Sequence, residues 1–552
     1  MFAALHKKYI SRLTWMLVAV LALALAACGG GGEDEATPSA GETPAGNGES
    51  RLVVASVTTP PTIDSEFYSG SPQSWEIGAN LYDSLFGYDG MGVNRVDNRK
   101  LDYETFTGRL VEDAELADDG VTWTLHLRQG VLSALGNEMT ADDVKYSYDR
   151  AFGMNATGAF LSATVNLTKA ENVRVIDKYT VEIELDAYSP VFKQVYTLYY
   201  PAILDSQVVK EHATTDDPWA GEWVATNSAG FGPYYVTEFT AGKQLVLKAN
   251  PNYWEGEVPI EEVIYRAVPD ASARLSMLQR GDVDVALVLS PEQLDRIKDT
   301  SGIEIQQQTP STTFIAIAMN PNIKPFDDVK VRRALSYAIP YDEINQAVYR
   351  GFAAEPDSFV PSNFPDHTGE YWEYEYDLDK AAELLKEAGY EDGFDVTLTF
   401  AEFTPSEKNV AIALQTAFKK IGVNLKINIV SAAVHQKAFV DRSEPMIMYT
   451  AQSHTFDSVY AVQIYLGSGP ASYLNAGDYS NPELDDLLTK GSSEQDAAKR
   501  TQITKDIQKL VVAEAPWLLA AIEDYVIATR DSVHGFAWMP DCGLRFFFLQ
   551  KD

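Results

Sequence analysis

The 552-residue sequence predicts a mixed α/β fold, and two features carry that prediction. Helix-type segments run directly into strand-type ones. Ala271 to Arg280 stops at Gly281 before Val283-Asp284-Val285, and Thr404 to Ile421 stops at Gly422 before Val423, Leu425, Ile427 and Ile429 in alternation. A glycine just past the last turn ends a helix, and a period of two marks a strand with one buried face. Such alternation favours layered α/β architecture over a bundle or sandwich, and no fixed-period repeat accompanies it.

From the beginning of the chain, His6, Lys7, Lys8 and Arg12 lead into an apolar run from Leu13 to Ala27. The run is too short for a comfortable membrane span, so residues 1–27 read as a targeting segment. It closes with Leu25-Ala26-Ala27-Cys28, which resembles the lipobox of bacterial lipoproteins and implies that Cys28 is lipidated. Residues 28–50 are the lipidated cysteine and a tether, since Gly29 to Ser50 holds no aromatic and no aliphatic residue beyond alanine with which to form a core. From Arg51 onward about five hundred residues remain, enough for more than one domain of roughly 100 to 200 residues.

Composition narrows the function classes. The formal charge of −35 argues against nucleic acid as a partner. With Cys28 lipidated, Cys542 has no intramolecular partner, so large size and not cross-linking stabilises the fold. No later apolar run approaches the length of a spanning helix, so the mature chain is expected to be soluble apart from its anchor.

Local signals place further elements. Leu52 to Val57 reads as a buried strand, and Trp123 to Arg128, entered through Asp119-Gly120, as half of a hairpin. Helix starts are signalled by Thr140 with Asp143, by Ser290 with Pro291 and Gln293, and by Thr404 with Pro405 and Glu407. Val331, Ala334, Leu335 and Ala338, and later Leu378, Ala381, Ala382 and Leu385, keep helical spacing and read as core-facing stripes. Arg332 and Arg333 read as solvated positions on the first of these helices.

An ordered series of blocks carries a resemblance. It begins with Pro61-Thr62-Ile63-Asp64, Asn80 to Phe86, Leu125 to Val131 and Thr140 to Val144. Gly232-Pro233-Tyr234, Asn250-Pro251-Asn252-Tyr253-Trp254 and Pro325 to Leu335 follow, and then Ala388-Gly389-Tyr390, Ile421-Gly422-Val423 and Ser480 to Asp485. From Arg51 to its end the chain resembles the family 5 extracellular solute-binding proteins, the dipeptide, oligopeptide and nickel receptors of ATP-driven (ABC) importers. The resemblance implies a two-lobed periplasmic-binding-protein-like fold of the class II type, with an additional α/β domain and an interlobe hinge. On that template residues 51–74, 230–308 and 522–552 form lobe I, 75–229 the extra domain and 309–521 lobe II. The glycine- and asparagine-containing blocks around Tyr234 and Trp254 are expected to be structural turns.

The resemblance also implies a ligand site in the interlobe cleft, because hinge closure responds only to a ligand that touches both lobes. Peptide-binding members hold the ligand ammonium with an aspartate just after a tryptophan-containing strand of the second lobe. Here that stretch reads Met448 to Asp457, and Gln452 stands at the anchor position. Dipeptide receptors hold the ligand carboxylate with an arginine, where this chain has Ala401 or Glu402. Asp457 is the candidate replacement for the ammonium anchor. Thr58 and Thr59 after the first strand join Tyr449, Gln452, His454, Phe456 and Asp457 as candidate ligand contacts. In the tail Trp538 is a candidate to stack on the ligand and Arg545 to receive an anion.

No His-Glu-x-x-His, Gly-x-Ser-x-Gly, Walker loop or Cys-x-x-Cys occurs, so no catalytic residue, metal ligand or cofactor site is assigned. The expected protein is a monomeric extracytoplasmic receptor held to a bacterial membrane by its lipid. It hands a small organic ligand, peptide-class by family, to ABC permease subunits. The alternatives are a receptor for another polar solute, such as an opine, a sugar-like compound or a nickel chelate, and, from a different class, an extracellular hydrolase.

Overall fold

Two long strands organise the chain. The computed structural model describes residues 50–67, 71–93, 101–469, 472 and 474–552. The targeting segment, Cys28 and all of the tether except Ser50 lie outside the described residues.

The main sheet contains β1 (Arg51–Ser56), β2 (Tyr234–Thr240), β3 (Gln244–Ala249), β4 (Glu262–Ala267) and β5 (Val285–Ala286). It continues through β6 (Ile303–Met319), β7 (Phe394–Phe400), β8 (Val423–Ile429), β9 (Met446–Gln452) and β10 (Trp517–Arg530). Their order across the sheet is β8-β7-β9-β6-β10-β5-β1-β4-β3-β2. A two-residue strand, Ala353–Ala354, adds to β10. β1 runs parallel to β4 and β5, and β7 parallel to β8 and β9. Parallel neighbours need crossovers, and the helices Ala271–Arg280 and Pro405–Lys419 supply two of them.

β6 and β10 are antiparallel partners throughout, yet their two ends carry different neighbours. β9 pairs with β6 from Thr313↔Gln452 to Met319↔Met446, whereas β5 pairs with β10 at Ala528 and Thr529. Between these ends the register jumps from Gln308↔Tyr525 to Thr313↔Glu523, so residues 309–312 of β6 face Asp524 alone. The Ser311 hydroxyl donates to the Glu523 carbonyl at 2.5 Å and the Thr312 hydroxyl to the Pro540 carbonyl at 2.8 Å. Such a bulge re-aims the backbone locally while the strand continues.

A separate four-stranded antiparallel sheet, Val111–Leu116, Thr122–Leu127, Thr180–Glu184 and Val173–Asp177, lies between the first and second strands of the main sheet in sequence. Its first hairpin turns at residues 119–120, where Asp119 accepts the backbone N–H groups of Val121 and Thr122, each at 2.9 Å. Helix Ala141–Met154 packs on this sheet. Capping boxes stand at Thr140, Ser290 and Thr404, where each side chain and its N3 partner satisfy one another's backbone N–H groups.

Two local expectations change. On helix Leu378–Glu387 Leu384 is buried and Ala382 exposed, so the stripe runs through 381, 384 and 385. Arg332 is not solvated: at 4% exposure its guanidinium donates to the carbonyls of Phe326 and Glu514, each at 2.9 Å, and to the Glu514 carboxylate at 3.1 Å. Arg333 is the solvent-side member and pairs with Glu373 at 2.7 Å.

The turn blocks are structural. A Cβ on Gly232 would lie 2.5 Å from the Leu81 carbonyl oxygen, so only glycine fits that approach. Asn250 donates to the Gly232 carbonyl at 3.1 Å, while Tyr253 and Trp254 both donate to Asp83, which pairs with buried Arg109.

Candidate ligand-binding cleft

The site is assembled by helix Pro72–Leu81, which buries polar side chains as well as apolar ones. Asn80 donates to the Leu544 carbonyl at 2.8 Å and accepts from the Phe546 N–H at 2.7 Å, while Glu76 accepts from the Leu544 N–H at 3.4 Å. These contacts fasten the C-terminal segment to the helix. Burial pushes the Glu76 carboxyl up to about 7, well above the usual carboxylate range, so a substantial share of it is protonated near neutrality.

Against the same helix stands the segment that follows β9. The His454 ring stacks on Trp75, with centroids 4.4 Å apart and planes at 26°. Burial pulls the His454 pKa down to about 4, so the ring is neutral, and its Nδ1 has no hydrogen-bond partner among the described residues. Phe456 stacks on Tyr103 at 4.8 Å and 8°, and Trp538 meets both edge-on, at 5.6 Å from Tyr103 and 5.7 Å from Phe456. The Tyr103 hydroxyl donates to the Trp538 carbonyl at 2.8 Å. Tyr199 and Tyr200 pack edge-on to Trp75 at 5.8 and 5.0 Å. Four parts of the chain thus converge on one aromatic cleft: Trp75 with Tyr103, Tyr199 with Tyr200, His454 with Phe456, and Trp538.

The other candidate residues fall in and around it. Gln452 ends β9. Its N–H donates to the Tyr465 hydroxyl at 2.7 Å, that hydroxyl donates back to the Gln452 carbonyl at 2.8 Å, and the side-chain amide reaches the Pro540 carbonyl at 3.4 Å. Tyr449 lies deeper on the strand among Phe439, Tyr465 and Trp517. Asp457 has both oxygens engaged. One accepts from the Tyr460 N–H at 2.8 Å as the cap of helix Ser458–Leu466, and the other pairs with Arg500 at 2.7 Å. Beside that pair lies a cavity of about 60 Å³, lined among others by Thr164, Asn166, Ser189 and Tyr460.

Thr59 is buried and accepts from the Gly242 N–H at 2.7 Å, fixing the turn between β2 and β3, and the Thr58 hydroxyl donates to the Thr59 carbonyl at 3.2 Å. Arg545 is 2% exposed and forms a two-pronged pair with Asp541 at 2.6 and 3.1 Å. His435 lies outside the cleft, its Nε2 3.0 Å from the Met448 carbonyl. Ala401 is buried and Glu402 exposed. Among the described residues no group of three or more His, Cys, Asp or Glu side chains is placed to hold a metal ion.

Comparison with known proteins decides the family. The model of the bacterial extracellular solute-binding proteins, family 5 (middle region), matches residues 105–473. The chain belongs to this family. It is accordingly an extracytoplasmic solute-binding protein and not an enzyme. The glutathione-binding protein GsiB of Salmonella typhimurium is 28% identical to this solute-binding protein over 504 residues, covering 90% of this chain and 93% of GsiB. Among solved structures, the Helicobacter pylori periplasmic binding protein DppA in complex with the peptide STSA superposes with a TM-score of 0.78 at 21% identity, over 91% of this chain and 98% of DppA. The dipeptide-binding protein of Pseudoalteromonas sp. SM9913 in complex with Met-Leu also gives 0.78, at 23% identity over 91% and 100%. The fold is therefore the two-lobed periplasmic-binding-protein fold.

Sequence reading of this solute-binding protein missed Trp75, Tyr103 and Asp541. Trp75 and Tyr103 lie hundreds of residues from His454 and Phe456, on which they stack. Asp541 is one of 79 acidic residues and carries no local mark. Tyr199-Tyr200 ends the aromatic-rich stretch Tyr196 to Tyr200, a density that is visible in the sequence.

Proposed function

We propose that this protein is a peptide-class receptor that delivers its ligand to an ABC permease from the outer face of a bacterial membrane, to which acylated Cys28 ties it. The observation that carries the reading is the aromatic cleft, where Trp75 meets His454 and Tyr103 meets Phe456 across parts of the chain far apart in sequence. Flat rings on both sides suit peptide planes and apolar side chains, with few charges to desolvate. Relatives named for glutathione and peptide binding support the same ligand class. The lobes are residues 51–74, 230–308 and 522–552 on one side and 309–521 on the other, with 75–229 as the extra domain. The register break between β6 and β10 lies at the proposed crossings and supports these boundaries. The receptor works as a monomer, each copy holding a complete cleft.

Tryptophan fluorescence of the mature chain, titrated with glutathione and a dipeptide set, tests the ligand class. Saturable change without turnover is expected, and product formation or no response across the set refutes it. Cys28→Ser tests the anchor. The variant should move from the membrane to the soluble fraction, and retention on the membrane refutes lipidation at Cys28.

A further inference from the structure

Asp541 and Arg545 pair inside the aromatic cleft under unusual conditions. Both are nearly fully buried, at 5% and 2% exposure. The pair spans four residues of a segment with no helix to hold it, where the other hydrogen-bond partners among the described residues are the Gly543 N–H on Asp541 and the Gly543 carbonyl on Arg545. A buried ion pair forfeits much of its Coulomb gain to desolvation and is weak evidence for a stabilising role. Other charges near the cleft join separate parts of the chain, Asp457 to Arg500 and Arg109 to Asp83 and Glu255, whereas among the described residues the two oxygens of Asp541 are held only from within residues 541–545.

Around this pair, buried polar atoms lack partners. Arg545 Nε and His454 Nδ1 have no hydrogen-bond partner among the described residues. Arg545 Nε belongs to a side chain already 2% exposed, and Arg545 also borders the small hollow lined by Tyr82, Ser84, Thr197 and Tyr199. An unmet guanidinium N–H calls for an oxygen acceptor, and a carboxylate meets it in the fork geometry that guanidinium favours.

We propose that Asp541 and Arg545 are the charge-recognition pair for a zwitterionic ligand, Asp541 taking its ammonium and Arg545 its carboxylate. The inference rests on the peptide-class reading above and names the residues that carry out the recognition. Exchanging one internal ion pair for two ligand pairs conserves charge inside the cleft. A ligand with one charged end would leave one partner buried and unpaired, which is the costly case. Discrimination between zwitterions and singly capped analogues therefore follows from the pair itself. The Gln452 amide, held by the Pro540 carbonyl next to Asp541, is left to hydrogen-bond a neutral part of the ligand.

The test uses Met-Leu, its N-acetyl and C-amide forms, and the doubly capped peptide, titrated against the wild-type chain and against Asp541→Asn/Arg545→Gln, which removes both charges together. On the wild type each single cap should weaken binding about 10- to 100-fold, the range of one charge-assisted contact. The double variant should lose free Met-Leu by a similar factor and bind the doubly capped peptide no worse than wild type does. Equal wild-type affinity for free and singly capped peptides overturns the assignment and leaves the peptide reading standing, as does a double variant that binds free Met-Leu like wild type. A wild type that binds none of the four overturns the assignment, and the peptide-class reading falls with it only if glutathione and the dipeptide set also give no response. The capping series on the wild type tests the pair whether or not the double variant folds.

Discussion

Asp457→Asn separates a structural role for this residue from a ligand-binding one. Asparagine caps a helix about as well as aspartate, so the Tyr460 N–H keeps an acceptor. The ion pair with Arg500 is lost, and the two side chains are only 8% and 17% exposed, so water replaces the carboxylate poorly. Arg500 keeps its Nε bond to the Gly491 carbonyl and faces the neighbouring cavity, which places the loss below the full cost of an orphaned buried charge. About 1–3 kcal/mol of unfolding free energy should disappear, and Asp457→Ala should remove about 1 kcal/mol more with the cap. Urea denaturation followed by far-UV circular dichroism reads both values, with an unchanged m-value confirming that the folded and unfolded states are otherwise alike. If Asp457→Asn keeps the wild-type midpoint but weakens ligand binding, Asp457 serves the ligand and its placement as cap and Arg500 partner is refuted.

Burial holds His454 neutral with its pKa at about 4. Below pH 6.5 the unfolded chain takes up a proton that the native state refuses, so stability falls as pH drops from 6.5 to 4, by about 3 kcal/mol in full at 1.36 kcal/mol per unit. His454→Phe keeps a ring against Trp75 and should gain that amount relative to wild type between pH 7 and 4; a difference independent of pH refutes neutral burial. Arg332→Met leaves the Phe326 and Glu514 carbonyls without their donor and should cost about 2–5 kcal/mol in the same denaturation assay, against less than about 0.5 for a solvated position. Gly232→Ala should lower the melting temperature by several degrees, because its methyl meets a backbone carbonyl that cannot swing aside. An unchanged melting temperature refutes that close approach.

What the sequence announced was whatever is settled within a few residues. The boxes at Thr140, Ser290 and Thr404 form because cap and acceptor are three positions apart. The strand after Gly422 reads correctly because Val423 and Leu425 are buried between exposed Asn424 and Lys426, although the burial fades by Ile429. Arg332 escaped because its burial depends on Glu514, 182 residues further on. The bulge at 309–312 escaped because it is defined by the partner strand and not by its own residues. The cleft shows the same division. Trp538 and Arg545 stand out beside the apolar run Phe546 to Leu549, whereas Trp75 becomes meaningful only when His454 is brought to it by the segment after β9.

That arrangement also sets how readily the cleft opens. The tail is fastened to helix Pro72–Leu81 by three hydrogen bonds through Glu76 and Asn80, and to β6 by the Thr312 hydroxyl. The segment after β9 meets that assembly through the Trp75–His454 and Tyr103–Phe456 stacks and the long Gln452–Pro540 contact. Each stack is worth about 0.5–1.5 kcal/mol beyond its buried area. Parting the two sides therefore breaks weak, flat contacts, while the β6–β10 ladder that joins them stays paired. A ligand has only to exceed those contacts by its differential affinity to hold the closed form. A ligand that lays its own planes between the rings replaces each stack it interrupts, so nearly all of its polar contacts count toward closure.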